Sequence, residues 1–263
     1  MSPRRRLLLA LVAVAVLAAA VLVGARVVAN RAPAVDPAAR PAQDVPGPVL
    51  LVPGYGGSTA ALAPLADRIR ATGRTATVVT LVGDGTGDLS AQVAALDAAV
   101  ADARRAGAPS VDVVGYSAGG VVAGLWVARD EGAAKARRIV TLGSPLSGTT
   151  LAGSAAAFAP DACPVACRQL APGSAPITEL ARARVGTRLP WLSLWTTGDE
   201  TVTPPDSARL PGAVDVAVQD VCPGARVTHG GLPADPTVAG LVVAALGPGP
   251  IPTGGSCGHA GTP

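Results

Sequence analysis

The chain has 263 residues, of which 49% are hydrophobic, 2% aromatic and 15% charged, and its net charge is +3. The high apolar content and the small net charge argue against a chain that is disordered throughout. Only six residues are aromatic, so few side chains could stack on bases, and no nucleic-acid partner is expected. A single long uncharged apolar segment argues against a polytopic membrane protein.

The N-terminal segment, residues 1–31, predicts export from the cytoplasm. Arg4, Arg5 and Arg6 precede an unbroken apolar run over residues 7–25, which is long enough to span a membrane as a helix. Clustered arginines stay on the cytoplasmic side, so the rest of the chain is expected outside the cytoplasm. We therefore predict an uncleaved signal anchor in a single-pass protein of the cell membrane. The alternatives are a cleaved signal peptide, which makes the protein secreted, and a buried core helix.

Two segments rich in proline or glycine flank a central region. Residues 32–47 contain four prolines and predict an extended linker. Residues 247–263 contain six glycines and four prolines and predict an irregular tail. The region between them, residues 48–246, is long enough to fold as one domain with its own core.

Short apolar runs alternate with helical patterns through the central region. Most of the runs are rich in β-branched residues and apolar on both faces, as expected for interior strands of a parallel sheet. Residues 88–105 show one apolar helical face, and Gly107 follows as a plausible stop. The alternation predicts a doubly wound, mostly parallel α/β sheet, preceded by the N-terminal apolar helix. The predicted strands are residues 49–52, 75–81, 111–114, 138–142, 191–195 and 214–218.

A Gly-Tyr-Ser-Ala-Gly motif at residues 115–119 lies between a predicted strand and a predicted helix. This context is typical of a nucleophile on a sharp turn, where glycines on both sides of the serine relieve crowding. Ser117 is therefore the predicted nucleophile, and the N-terminal amides of the following helix would favour developing negative charge. The alternative is a glycine-rich turn with an inert serine.

A serine nucleophile needs a base and a carboxylate that orients it. The chain has only two histidines, and His229 is the predicted base because His259 lies in the predicted tail. Asp199 follows the predicted strand at 191–195 and is the predicted carboxylate. The order Ser117, Asp199, His229 is the order typical of such sites. Glu200 is the nearest rival to Asp199, and weaker candidates are Asp206, Asp220 and Asp235.

The oxyanion hole is predicted from two backbone N–H groups, those of Tyr55 and Ala118. Tyr55 lies in the glycine-rich loop at 53–57, which could alternatively bind phosphate but lacks the glycine spacing of a dinucleotide site. No cofactor is expected. No metal is expected either, because the histidines are far apart in sequence and the carboxylates are scattered.

Four cysteines in an exported chain predict two disulfides. The preferred pairing is Cys163 with Cys167 and Cys222 with Cys257, and the alternative is a zinc site that uses the first pair. The first pair lies in the stretch 146–180, between two predicted strands. That stretch is expected either to cover an acyl pocket or to be a structural excursion without contact to substrate.

Several segments together resemble bacterial secreted lipases and esterases of the α/β-hydrolase superfamily, especially small actinobacterial proteins similar to triacylglycerol lipases. The resemblance spans about residues 48–246. It is carried by residues 48–57, 115–119 and 141–145 and by the loops of Asp199 and His229.

The resemblance implies a catalytic triad of Ser117, Asp199 and His229, with the oxyanion hole formed by Tyr55 and Ala118. It implies hydrolysis of carboxylic esters through an acyl-enzyme, with an ester or lipid as substrate and the membrane as a partner through the N-terminal helix. Two other functions stay open. One is acyl transfer to a cell-envelope acceptor, and the other is a catalytically inactive binding module with the hydrolase fold. The oligomeric state is left open.

Overall fold

The computed structural model describes residues 40–258 together with positions 3 and 5. The apolar run at 7–25 and His259 lie outside the described residues, so the signal anchor stays a prediction. In the part of the chain that is described, no helix combines the length and the apolar character needed to cross a membrane.

Within residues 40–258, six parallel strands form one sheet in the order β2-β1-β3-β4-β5-β6. The chain runs outward from β1 to β2 and then returns across β1 to β3, so the direction of winding reverses between β1 and β3. Open sheets place their sites at such a reversal, beyond the carboxyl ends of the strands. The prediction of a doubly wound parallel sheet is confirmed. The strands are β1 (Val49–Val52), β2 (Ala76–Val78), β3 (Val111–Tyr116), β4 (Ala136–Leu142), β5 (Trp191–Trp195) and β6 (Val214–Ala217).

Four strands differ from the predicted ranges. Strand β6 ends at Ala217, one residue early, because Val218 begins a helix. Strand β2 is shorter because its partner β1 has only four residues, and the pairing ends where Val79 N donates to Leu51 O at 2.8 Å. Strand β3 is longer because Gly115 and Tyr116 pair with β4. Strand β4 begins at Ala136, two residues before the predicted start, because Arg137 is buried in the strand rather than exposed before it.

Residues 40–258 contain nine α-helices, and two of the longer ones begin with aspartate caps. The Asp88 carboxylate accepts from Ser90 N at 2.7 Å, and that of Asp235 accepts from Val238 N at 3.0 Å. The helices are α1 (Ala63–Arg70), α2 (Leu89–Arg105), α3 (Ala118–Arg129), α4 (Gly132–Lys135), α5 (Thr150–Phe158), α6 (Val165–Gln169), α7 (Ala175–Ala183), α8 (Val218–Val221) and α9 (Pro236–Ala245).

The core lies on both faces of the sheet, because alternate strand residues point to opposite sides. Helices α1 and α9 pack on one face, and α2 and α3 pack together on the other. Strands β3 and β4 are buried along their whole length, which explains why most of their residues are apolar, although both also carry charged residues near their starts. The sheet is therefore a rigid base for the loops at its carboxyl edge.

Charged residues are buried at the opposite edge of the sheet, where the strands begin. Asp112 of β3 and Arg137 of β4 are fully buried, and Arg137 Nη2 lies 2.5 Å from Asp112 Oδ2. Arg74 Nη2 contacts the same oxygen at 2.7 Å. Arg137 also donates to Leu246 O at 2.6 Å, and Arg138 donates to Ala245 O at 2.7 Å. The guanidinium groups thus bind carbonyls at the end of α9, which that helix cannot satisfy itself.

All four cysteines form disulfides in the preferred pairing, Cys163 with Cys167 and Cys222 with Cys257. The zinc alternative is wrong, because the sulfur atoms of the first pair are bonded to each other. Two disulfides are typical of proteins from oxidising compartments. The second bridge joins the predicted tail to the end of α8. The boundaries of the linker at 32–47, the domain at 48–246 and the tail stay predictions.

Candidate active site

A sharp turn between β3 and α3 presents Ser117. Its φ of 53° and ψ of −126° lie outside the regions that residues with a Cβ ordinarily adopt. A Cβ at Gly119 would lie 2.2 Å from Val52 O, and one at Gly115 would lie 2.5 Å from the Cα of Gly120. The glycines of the motif are therefore required, because neighbouring backbone atoms occupy the space of a side chain.

Three side chains meet at the carboxyl edge of the sheet. His229 Nε2 lies 3.0 Å from Ser117 Oγ, and His229 Nδ1 lies 2.7 Å from Asp199 Oδ2. A carboxylate only accepts hydrogen bonds, so the His229 tautomer that fits both contacts carries its proton on Nδ1 and leaves Nε2 to accept from the serine hydroxyl. The three residues thus form one row of hydrogen bonds that ends at a hydroxyl.

The environment of Asp199 holds its carboxylate in place. Its side chain is only 1% exposed, and its second oxygen accepts from Thr201 N at 2.9 Å and from Val202 N at 2.7 Å. The structure therefore brings Asp199 to His229. The four rival carboxylates lie elsewhere. Three of them are exposed, namely Glu200, Asp206 and Asp220, and the fourth, Asp235, caps α9.

Two further residues border the Asp199–His229 pair, and sequence reasoning assigned no role to either. The Tyr116 hydroxyl donates to His229 O at 3.2 Å, and the two rings lie 5.2 Å apart. Burial raises the pKa of the Tyr116 phenol, and the charge of Asp199 raises it further, so the phenol stays protonated and can donate. At Gly143, where φ is +50°, a Cβ would lie 3.1 Å from Asp199 Oδ2 and 3.2 Å from His229 Nδ1.

Both residues had a signal in the sequence. Tyr116 lies inside the serine motif, and Gly143 directly follows a predicted strand, at the edge where such sites form. Neither signal distinguishes a positioning role from ordinary packing, because the contacts that define the role come from distant parts of the chain.

The two amides predicted for the oxyanion hole flank the serine. Ala118 is the first residue of α3, and Tyr55 follows Gly54, at which a Cβ would lie 3.0 Å from the Cβ of Ser117. The absence of a side chain at Gly54 lets this loop approach the serine closely. Among residues 40–258, neither amide N–H donates to a protein acceptor. Both are therefore available to a ligand oxygen.

A pocket of about 280 Å³ opens beside Ser117. One wall is the stretch 146–180, which contributes Leu151, Ala155 and Leu170 to the lining. The stretch therefore lines the pocket beside Ser117, and its contact with substrate stays a prediction. Leu151 lines the pocket and is 53% exposed.

Comparison with solved structures identifies similar folds. Aspergillus fumigatus lipase B matches 79% of this chain and 54% of its own, at 20% identity and a TM-score of 0.67. The mature form of a Bacillus licheniformis lipase matches 77% of this chain and 93% of its own, at 18% identity and a TM-score of 0.62. The N-formylmaleamic acid deformylase of Pseudomonas putida S16 matches 76% of this chain and 92% of its own, at 19% identity and a TM-score of 0.51.

These similarities confirm the predicted α/β-hydrolase fold. The chain spans about half the length of the Aspergillus lipase, 54%, and most of the length of the Bacillus lipase, 93%. No protein-family model matches the chain, and no curated protein sequence matches it.

Proposed function

We propose that this protein hydrolyses carboxylic esters outside the cytoplasm, with Ser117 as nucleophile, His229 as general base and Asp199 as the carboxylate that orients the base. One observation carries the proposal. The row of hydrogen bonds from Ser117 Oγ through His229 to Asp199 Oδ2, at 3.0 and 2.7 Å, has the order and the atoms that this chemistry requires.

The first half-reaction makes an acyl-enzyme. Ser117 Oγ bonds to the ester carbonyl carbon while its proton moves to His229 Nε2, and the negative charge of Asp199 stabilises the imidazolium that forms. The bond to the alcohol oxygen then breaks, and that oxygen receives the proton from Nε2. The amides of Tyr55 and Ala118 would donate to the carbonyl oxygen as it gains negative charge, at the N-terminus of α3.

The second half-reaction returns the enzyme to its starting state. Water bonds to the acyl carbon as it gives a proton to His229 Nε2. The bond between the acyl carbon and Ser117 Oγ then breaks, and the serine recovers the proton. The products are a carboxylic acid and an alcohol, and no cofactor takes part in any step.

Export is part of the proposal. Two disulfides support a location in an oxidising compartment, and the arginines before the run at 7–25 favour passage across the membrane. We propose that residues 1–31 direct this export and hold the protein in the membrane if they are retained. Membrane fractionation with N-terminal sequencing tests retention. A soluble product that starts near residue 30 or 35 would contradict it.

The catalytic proposal is tested by hydrolysis of p-nitrophenyl esters. Ser117→Ala is expected to lower kcat by about 10⁵-fold or more, because the nucleophile and base act as a unit. Ser154→Ala removes an exposed serine hydroxyl outside the proposed machinery and serves as the matched control. A fluorophosphonate probe should label the wild type on the peptide that contains Ser117.

Equal hydrolysis by the wild type and Ser117→Ala would overturn the proposal, and so would labelling on a different peptide. Thermal unfolding of both variants checks that the loss of activity is not a loss of structure. Product analysis with added alcohols shows whether water or an alcohol accepts the acyl group.

A further inference from the structure

The pocket beside Ser117 can be assigned to one half of the substrate, provided the proposed ester chemistry is correct. Ser117 and Tyr55 belong to its lining. His229 does not belong to the set of described residues that line it. The departing alcohol receives its proton from His229 Nε2 and must therefore lie beside that atom. The pocket borders Ser117 but not His229, so it is left for the acyl half.

The walls of the pocket select an uncharged acyl group. No charged side chain of the described residues lines it. The hydroxyl of Thr149, one of its few polar groups, is already engaged, because it donates to Thr201 O at 3.0 Å and accepts from Thr203 N at 3.0 Å. A charged acyl group would lose its hydration here without gaining a partner.

The walls are bonded to the body of the domain. Thr150 N, at the start of α5, donates to Thr203 O at 2.7 Å. Thr149 N donates to Leu170 O at 2.9 Å, and Ala166 N of α6 donates to Thr86 O at 3.0 Å. The Cys163–Cys167 disulfide closes the segment just before and within α6. Such a pocket has a defined size and can distinguish substrates by length.

We propose that the protein acts on esters of short to medium aliphatic acids, with an acyl chain of up to about eight carbons, and that Ala155 sets this limit. Filled at roughly 30 Å³ per non-hydrogen atom, the share of one molecule in liquid water, a volume of about 280 Å³ corresponds to about nine such atoms, the number in an octanoyl group. Ala155 and Ala152 line the pocket from α5 with the smallest side chains that carry a Cβ, so a larger side chain there would shorten it.

The test is a series of p-nitrophenyl esters from acetyl to dodecanoyl, assayed as monomers below their aggregation limit. For the wild type, kcat/KM should rise about fourfold per added methylene, the gain from burying that group, and stop rising near octanoyl. Ala155→Leu fills the space of about three carbons, so the rise should stop near pentanoyl. Ala157→Leu makes the same change at an exposed position of α5, outside the pocket lining, and should leave the profile unchanged.

The outcomes separate the two proposals. If the protein hydrolyses no ester of the series, the proposed function itself is overturned. Hydrolysis with a kcat/KM that keeps rising to dodecanoyl, or that is highest for acetyl, would overturn the acyl-length proposal alone. An unchanged profile in Ala155→Leu would do the same. If Ala155→Leu proves unstable, Leu170→Ala tests the proposal in the opposite direction, because it should move the limit to longer chains.

Discussion

The buried Asp112 is expected to be a main determinant of stability. Its carboxylate lies against two guanidinium groups, those of Arg137 at 2.5 Å and Arg74 at 2.7 Å. Asp112→Asn keeps the shape of the side chain but removes the negative charge. The positive charge of Arg137, which is fully buried, would then lack its counter-ion. Arg138 lies nearby and adds like charge: burial lowers its pKa, and the charge of Arg137 lowers it further.

The expected loss follows from this burial. Removing one partner of a buried ion pair typically costs about 3–5 kcal/mol, out of a total stability of about 5–15 kcal/mol. For a domain of this size, that loss corresponds to a fall in Tm of about 6–20 °C. Activity per folded molecule should be unchanged, because Asp112 lies five residues along β3 from Ser117, or about 16 Å.

The assay is urea unfolding followed by circular dichroism with the disulfides intact. Asp102→Asn is the matched control, because Asp102 pairs with Arg105 on the surface of α2 and both side chains are 70% exposed. Exposed pairs of this kind contribute about 0–1 kcal/mol. The reasoning would be refuted if Asp112→Asn cost no more than Asp102→Asn, or if it removed activity without lowering stability.

Three further substitutions probe the site and its surroundings. Tyr116→Phe removes one hydrogen bond to His229 O and should lower kcat about two- to tenfold with KM unchanged; an unchanged kcat would contradict a positioning role. Gly143→Ala places a Cβ against the Asp199–His229 pair and should lower kcat/KM by about 100-fold; full activity would show that the backbone can shift to accommodate it. Burial raises the pKa of Asp215, so ionisation of this carboxyl destabilises the fold. Asp215→Asn should therefore be more stable than wild type at pH 7. This advantage should shrink as the pH falls through the raised folded-state pKa of Asp215 towards its unfolded-state pKa. Urea unfolding of both proteins at pH 7 and at acidic pH measures the change.

The serine turn could be predicted from the sequence because a local motif marks it. Gly115 is required because a side chain there would meet backbone atoms of Gly120, and Gly119 because one there would meet Val52 O of β1. The motif marks that geometry. The alternation of strands and helices was also readable, since interior parallel strands have a recognisable apolar pattern. His229 was accessible by elimination, because the chain has only two histidines.

The choice among the carboxylates depended on tertiary structure. Asp199 and Glu200 are neighbours in the chain, and only the course of the loop turns the first inward to His229 and leaves the second exposed. The role of Gly143 is likewise visible only in three dimensions. The space it leaves is occupied by atoms of Asp199, His229 and Leu232, which lie more than fifty residues away in sequence.

The sequence by itself determined the class of fold and the position of the serine, because short-range sterics and the apolar period of strands and helices act within a few residues. Tertiary structure alone decided where charge could be buried. Arg137 and Arg138 suggest an exposed segment, yet the end of α9 supplies the carbonyls, and Asp112 the charge, that make their burial possible. It also decided the size of the pocket, because the bonds that hold the stretch 146–180 against Ser117 join parts of the chain that are distant in sequence.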